Sequence, residues 1–210
     1  ITMNEGNEIP NELIYGTIKG HKVNRETGEA ISGAVFGLFR ADETSFVEQN
    51  ALLTAESDKD GIFTFEKVPY GSYIVYELRS AAGYLENETV YPVTVDEDGS
   101  VVEIIAVNDL IPEIGTTASI DGEKEVCATE VFTLTDTVEY KHLVSGKEYT
   151  VKGILMDRAT GEPFLQNGEQ ITSEVTFVPK APSGSVEVLF TFDAKLIKTD
   201  TNIVVFESLY

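Results

Sequence analysis

The sequence contains a single cysteine, Cys127, and no tryptophan. One cysteine cannot form an internal disulfide, so the chain lacks the disulfide framework that stabilises many small exported domains. Because Cys127 lies between Val126 and Ala128, we expect a small buried apolar side chain there rather than a reactive thiol. Any covalent reinforcement of the fold must therefore come from other chemistry.

Basic residues are scarce: 15 Lys and Arg face 36 Asp and Glu, which leaves a net charge of −21. Such a chain repels a phosphate backbone, and nucleic acid is excluded as a partner. Hydrophobic runs are too short to span a bilayer, so we expect no direct membrane insertion. No secretory or cell-wall sorting signal is visible, and we expect the chain to be a processed fragment.

Recognisable sites for cofactors and metals are also missing. His21 and His142 are isolated from cysteines and from each other, which argues against a zinc site. The sequence has no phosphate-binding loop and no nucleophile elbow. We therefore expect neither a cofactor nor a bound metal.

The pattern that is present is typical of β-structure. Short apolar runs of period two alternate with turn signals such as Asp60-Gly61 and Asp98-Gly99, and no long segment has helical period. This spacing predicts an all-β protein built from antiparallel β-sandwiches. In the second half, strands are predicted at residues 131–134, 137–140, 148–156, 173–178, 185–192 and 202–207.

The chain divides into three parts. Residues 1–13 are polar and are predicted to be a linker. A boundary sequence at residues 108–113, which contains Pro112, marks the change from a first domain, residues 14–111, to a second domain, residues 112–210. The two halves are not obvious copies, so we predict two different modules in tandem.

Three polar residues of the first domain lie inside strand-like apolar runs: Lys22, Glu77 and Asn108. Burying a polar side chain there without a compensating interaction costs several kcal/mol. In a shared core, desolvation would lower the pKa of Lys22 and raise that of Glu77. A neutral amine could then attack the Asn108 carbonyl while the Glu77 carboxyl moves protons and ammonia leaves. The alternative is a buried Lys–Glu ion pair with Asn108 as an ordinary hydrogen-bond partner.

Two segments of the first domain carry a family resemblance. The first is GTIKGHKVN at residues 16–24 with TGEAISGAVFGL at residues 27–38, and the second is YIVYELRSAAGY at residues 73–84. Residues 14–110 resemble a Cna B-type (collagen-adhesin B, prealbumin-like) domain. The resemblance implies an isopeptide bond between Lys22 and Asn108, with Glu77 as the assisting acid. The chain departs from the family at Ala81, where proline is usual, and this change should affect a loop more than the chemistry.

The second domain resembles the ester-bond repeat domains of Gram-positive surface adhesins. The resemblance is carried by residues 114–118, 135–143 and 146–157 and by the ending VVFE at residues 204–207. It implies an immunoglobulin-like sandwich in which Thr116, or failing that Thr117, is the nucleophile. Asp136 and Glu207 match the assisting acids.

The second domain departs from that family in one respect. The family's glutamine and histidine lie on a strand beyond the VVFE segment, whereas this chain ends at Tyr210. Gln166 and Gln170 lie in a turn region, and His142 is also misplaced. We therefore expect the domain to lack its final strand and its ester bond, and the two acids to be idle. Strand complementation in trans by another chain could fill such an edge.

These resemblances imply a structural stalk segment of a Gram-positive cell-surface adhesin or pilin-like protein. Its expected location is extracellular, anchored to the cell wall through another part of the parent protein, with adjacent modules of the same adhesin as partners. It would turn over no substrate.

Two alternatives stay open: a module that binds host matrix protein or glycan, and an enzyme that uses Thr116, Asp136 and Glu207 on an external ester or amide. Matrix-protein and glycan-array binding and model-ester hydrolysis distinguish them.

Overall fold

The computed structural model describes residues 13–120, 122–125, 127, 131–197 and 201–210. Strands make up 58% of the chain and helices 3%, which confirms the all-β fold class. The chain forms two compact units, Ile1–Ile111 and Pro112–Tyr210. Apart from Leu13, the predicted linker lies outside the described residues. No helix in the described part of the chain is long and apolar enough to cross a membrane.

Unit 1 is a sandwich of two sheets, with strand orders β4-β1-β7 and β3-β2-β5-β6. A single turn of 3-10 helix, Glu48–Asn50, lies between β2 and β3. The strands are β1 (Tyr15–Asn24), β2 (Val35–Arg40), β3 (Leu53–Glu56), β4 (Ile62–Pro69), β5 (Gly71–Arg79), β6 (Tyr91–Val95) and β7 (Val101–Asn108).

The pairing of β1 with β7 is parallel, whereas the other described strand pairs of unit 1 are antiparallel. Residues of β1 alternate in burial, so that Ile18 and Lys22 face the interior and Lys19 and His21 face outward. In the parallel register Lys22 lies opposite Ala106, and Asn24 lies opposite Asn108. The first and last strands of the unit therefore end side by side.

The core of unit 1 is built around aromatic rings from the two sheets. The rings of Phe36 and Phe63 stack with centroids 3.8 Å apart, and Phe65 packs edge-on against Phe63. Gly20 makes room for this stack, because a Cβ there would lie 1.9 Å from Phe63 Cζ. Burying each such ring stabilises the fold by about 1.5–3 kcal/mol, and the rigid stack places the inner face of β1 against β2.

Unit 2 has two three-stranded sheets, ordered β14-β9-β8 and β13-β10-β15, and a small hairpin of β11 and β12. A short 3-10 helix, Ala194–Leu196, follows β14. The strands are β8 (Glu113–Ile120), β9 (Val131–Lys141), β10 (Tyr149–Asp157), β11 (Leu165–Gln166), β12 (Glu169–Gln170), β13 (Thr172–Phe177), β14 (Gly184–Asp193) and β15 (Ile203–Leu209).

Two predictions for unit 2 are wrong. The strands predicted at residues 131–134 and 137–140 are one continuous strand, because Asp136 between them is not a turn residue but a fully buried inward-facing one. Cys127 is exposed rather than buried. It lies in the connection between β8 and β9, outside the strands whose inward faces form the core.

Candidate functional site

The three polar residues predicted to meet in unit 1 are brought together by its topology. Lys22 projects from β1, and Asn108 is the last residue of β7, one diagonal step away on the same inner face. Glu77 comes from β5 in the opposing sheet, where it shares the inward face with the buried Val75. Exposed fractions of 0% for Lys22, 1% for Asn108 and 6% for Glu77 place the cluster in the core.

Each member of this cluster contacts the other two. Lys22 Nζ donates to Asn108 Oδ1 over 2.6 Å. The same nitrogen lies 3.1 Å from Glu77 Oε1 and 3.2 Å from Oε2. Asn108 Nδ2 in turn donates to Glu77 Oε1 over 3.0 Å. The amine therefore lies against the amide carbonyl, and one carboxyl group lies within reach of both nitrogens.

Burial lowers the pKa of the Lys22 amine, because the charged form loses its hydration. The Glu77 carboxylate opposes this shift, because its charge and its hydrogen bond raise the pKa of Lys22. The positive charge of nearby Arg25 lowers that pKa further. The amine also lies 5.4 Å from the centroid of the Phe36 ring. A lowered pKa raises the share of neutral amine, the form that can act as a nucleophile.

A second polar cluster lies between the sheets of unit 2. Thr116 on β8 and Asp136 on β9 are diagonal neighbours, and the Thr116 hydroxyl donates to Asp136 Oδ2. Glu207 faces them from β15, where it lies opposite Gly153 of β10. Thr116 is exposed as a residue, whereas Asp136 is completely buried. The structure thus brings the predicted nucleophile and the two predicted acids together.

Glu207 is held in an unfavourable setting for a carboxylate. Burial first, and the adjacent Asp136 second, raise the pKa of Glu207 to about 8, and the Thr116 hydroxyl opposes the rise. Asp136 Oδ1 and both Glu207 carboxyl oxygens are buried without a hydrogen-bond partner of good geometry among the described residues. Burial and the neighbouring Asp136 therefore favour the protonated form of Glu207.

Other residues singled out from the sequence lie in different places. Gln166 Oε1 accepts a hydrogen bond from the Asp193 amide, and Gln170 belongs to β12. Thr117 is the residue after Thr116 and pairs with Thr137, on the other face of β8. His142 follows β9 with a left-handed φ of 61°. Within the described ranges no group of three or more His, Cys, Asp or Glu could hold a metal ion.

Comparison with models of protein families matched each unit separately. Residues 16–110 match a prealbumin-like fold domain, and residues 112–209 match the T-Q ester bond containing domain. The chain is a prealbumin-like domain followed by a T-Q ester bond domain. This result confirms both family resemblances predicted from the sequence. A comparison with curated protein sequences gave no match.

Two solved pilin structures are similar to this chain in fold. The major pilin subunit BcpA of Bacillus cereus matches 92% of this chain with a TM-score of 0.51 and 17% identity, and a variant of BcpA matches with the same TM-score and 16% identity. The chain spans 57–58% of the length of those two structures. A third structure is a Mobiluncus mulieris adhesin containing intramolecular disulfide, isopeptide and ester bond cross-links. Its alignment covers 47% of this chain and 44% of the adhesin chain, with 21% identity and a TM-score of 0.41.

One residue beside the cluster of the prealbumin-like domain was missed by the sequence analysis. Asn87, between β5 and β6, donates from Nδ2 to the Val107 carbonyl over 2.5 Å, directly before Asn108. The available signal was local: an asparagine two residues before Thr89 favours a turn in which its side chain accepts from the backbone. That pattern gives no information on the distant carbonyl that the amide contacts.

Proposed function

We propose that this chain is a structural stalk segment of a Gram-positive cell-surface adhesin or pilin-like protein, stabilised by an isopeptide bond between Lys22 and Asn108. The observation that carries the proposal is the buried contact of 2.6 Å between Lys22 Nζ and Asn108 Oδ1, with Glu77 against both nitrogens. Membership of the prealbumin-like family supports it.

The reaction would be a single amide exchange within the folded domain. Neutral Lys22 Nζ attacks the carbonyl carbon of Asn108, and the new C–N bond replaces the bond from that carbon to Nδ2. Glu77 accepts the proton that the amine loses and returns one to the leaving nitrogen, which departs as ammonia. The core holds the groups in place beforehand, so that the encounter costs little further entropy. Glu77 is restored, and no substrate is turned over.

The proposed bond explains how the domain would serve in a stalk. It links β1, the first strand of the domain, directly to the end of β7, the last strand. Tension applied to the two ends of the domain would then pass through the covalent bond and not through the hydrogen bonds of the sheet. A domain of this kind resists unfolding under load and resists proteases that require an unfolded chain.

The direct test is the intact mass of the purified protein. We expect the wild-type chain to be lighter than its sequence mass by one ammonia, and Lys22→Ala to have the full sequence mass. Lys19→Ala, which alters the outward face of the same strand, serves as the control and should keep the lighter mass. A wild-type chain of full sequence mass would rule out the isopeptide bond.

The proposal includes a location and partners. We place the segment outside the cell, anchored to the cell wall through another part of the parent protein, with adjacent modules of the same adhesin as its neighbours. The pilin structures of similar fold support this placement. The alternative, contact with host matrix protein or glycan, is not proposed, because among the described residues no specific contact favours it.

For the T-Q ester bond domain we propose that Thr116, Asp136 and Glu207 are idle in this chain and can be engaged by a strand supplied in trans. Support comes from the edge positions of β8 and β15 in their sheets and from the buried unpaired oxygens of the two acids. A synthetic peptide with the family's final strand is expected to form an ester with the wild-type chain but not with Thr116→Val. In this step Thr116 Oγ1 bonds to the side-chain carbonyl carbon of the peptide's glutamine, the C–N bond of that carboxamide breaks, and ammonia leaves with the hydroxyl proton. Absence of an adduct with the wild type would contradict strand complementation.

A further inference from the structure

A short segment between β5 and β6 runs along the end of β7 at the cross-linking cluster. We call residues 83–87 the strap. The Leu85 amide donates to the Asp109 carbonyl over 2.8 Å, and the Ile111 amide donates back to the Gly83 carbonyl over 2.9 Å. Asn87 Nδ2 continues the series by donating to the Val107 carbonyl over 2.5 Å. The strap thus contacts the backbone on both sides of Asn108.

Asn87 is the point where the strap holds β7 through a side chain. Its Oδ1 accepts a hydrogen bond from the Thr89 amide over 2.9 Å, so that both ends of the carboxamide are occupied. The residue is half-buried. An amide fixed at its oxygen has little freedom left to rotate, which makes its Nδ2 a well-directed donor to the Val107 carbonyl.

On its other side, Asn108 is held by the segment that follows β1. The Arg25 amide donates to the Asn108 carbonyl over 3.0 Å. The Arg25 side chain also contacts the Asp109 carboxylate, with Nε 3.0 Å from Oδ1 and 3.1 Å from Oδ2. Asn108 is therefore clamped between two segments, although it is the last residue of β7, where a strand would ordinarily fray.

We propose that Asn87 is a positioning residue for the cross-linking reaction. By fixing the Val107 carbonyl it fixes the peptide plane between Val107 and Asn108, and with it the direction in which the Asn108 carboxamide leaves the backbone. That direction sets the short contact with Lys22 Nζ. Reaction rates in preorganised sites fall steeply when the reacting groups move by a fraction of an ångström. The inference rests on the proposed isopeptide bond.

The test compares rates of ammonia loss in newly made chains. Protein is produced by cell-free translation and sampled over time into acid, and the fraction of lighter chains is counted by intact-mass spectrometry. Asn87→Ala is expected to slow bond formation at least about tenfold relative to wild type. The matched control is Asn50→Ala, which removes a bond of the same kind, from Nδ2 to the Ser45 carbonyl over 3.1 Å, at the end of the 3-10 helix of the same domain. Asn50→Ala should react at the wild-type rate.

Asn87→Ser separates the contact with β7 from the local turn. Its hydroxyl can still accept from the Thr89 amide, but it is too short to reach the Val107 carbonyl. We expect Asn87→Ser to react as slowly as Asn87→Ala. A serine variant that reacts at the wild-type rate would assign the effect to the turn and overturn the proposal.

A pH profile and a folding check distinguish positioning from loss of structure. The rate of Asn87→Ala should fall by the same factor at every pH, with an unchanged midpoint, because the variant does not alter the Lys22 amine whose neutral form reacts. Hydrogen exchange in β1 and β4 should be equally protected in Asn87→Ala and Asn50→Ala before the bond forms. If exchange protection is lost in Asn87→Ala alone, or the two variants react equally fast, Asn87 has no positioning role. If wild type releases no ammonia, the isopeptide proposal itself fails.

Discussion

Replacing Lys22 by methionine and Glu77 by leucine together is expected to lower the free energy of unfolding of the prealbumin-like domain by about 4.5 kcal/mol. This is the stabilisation expected, in the chain-entropy model, from closing a loop of about 85 residues between Lys22 and Asn108. For a domain of this size, that loss corresponds to a melting temperature lower by roughly 20 °C or more. The double substitution also leaves the buried Asn108 carboxamide without Lys22 and Glu77 as hydrogen-bond partners, which adds a cost of about 1–3 kcal/mol.

The double substitution is chosen because single ones would confuse two effects. Removing Glu77 alone leaves a buried ammonium without its partner, which by itself costs about 3–5 kcal/mol, whereas replacing a whole buried ion pair by apolar groups is often neutral. Calorimetry and hydrogen exchange in the peptides of β1 and β7 would measure the loss. The matched control is Lys19→Met with Glu103→Leu, which lie opposite each other on the outer face of the same two strands, Lys19 half-buried and Glu103 exposed. It should change stability by less than about 1 kcal/mol. Equal losses in the two double variants would mean that no covalent bond was removed.

The T-Q ester bond domain is expected to become less stable as the pH rises from about 4.5 to about 8. In the unfolded chain Glu207 loses its proton near pH 4.5, while in the folded domain its pKa is raised to about 8 by burial and by Asp136. Between these values the folded state holds a proton that the unfolded state has released, so that raising the pH favours unfolding. The stability contributed by this group is complete below pH 4.5 and is lost above pH 8.

The size of this effect is reduced because Glu207 is only half-buried as a residue, although its carboxyl oxygens are enclosed. After allowance for solvent screening we expect a loss of about 2 kcal/mol across the window. Urea unfolding of the wild-type chain and of Glu207→Gln at a series of pH values would measure it, since the variant should lack this component. Glu187→Gln, an exposed position on β14, is the control and should follow the wild-type curve. Parallel curves for wild type and Glu207→Gln would show that Glu207 is ionised in the folded domain throughout.

Much of the fold could be predicted from local pattern. Alternating apolar residues located most strands, and family resemblance identified both domains. The predictions failed where a local signal has two meanings. Asp136 is of a residue type that favours turns, but it lies inside a strand. Its burial there is compensated by Thr116 and Glu207, which come from other strands. Cys127 has apolar neighbours in sequence, yet it lies in a connection with no core to face.

The local pattern was enough to predict that Lys22, Glu77 and Asn108 are polar residues in apolar strands, because burial along a strand has a period of two residues. Their meeting depends on the parallel pairing of β1 with β7 and on the packing of β5 from the opposing sheet. The contact of Asn87 with the carbonyl of Val107 depends on the tertiary structure as well. Contacts between residues 20 to 86 positions apart depend on how the strands are arranged in space, and no local period encodes that arrangement.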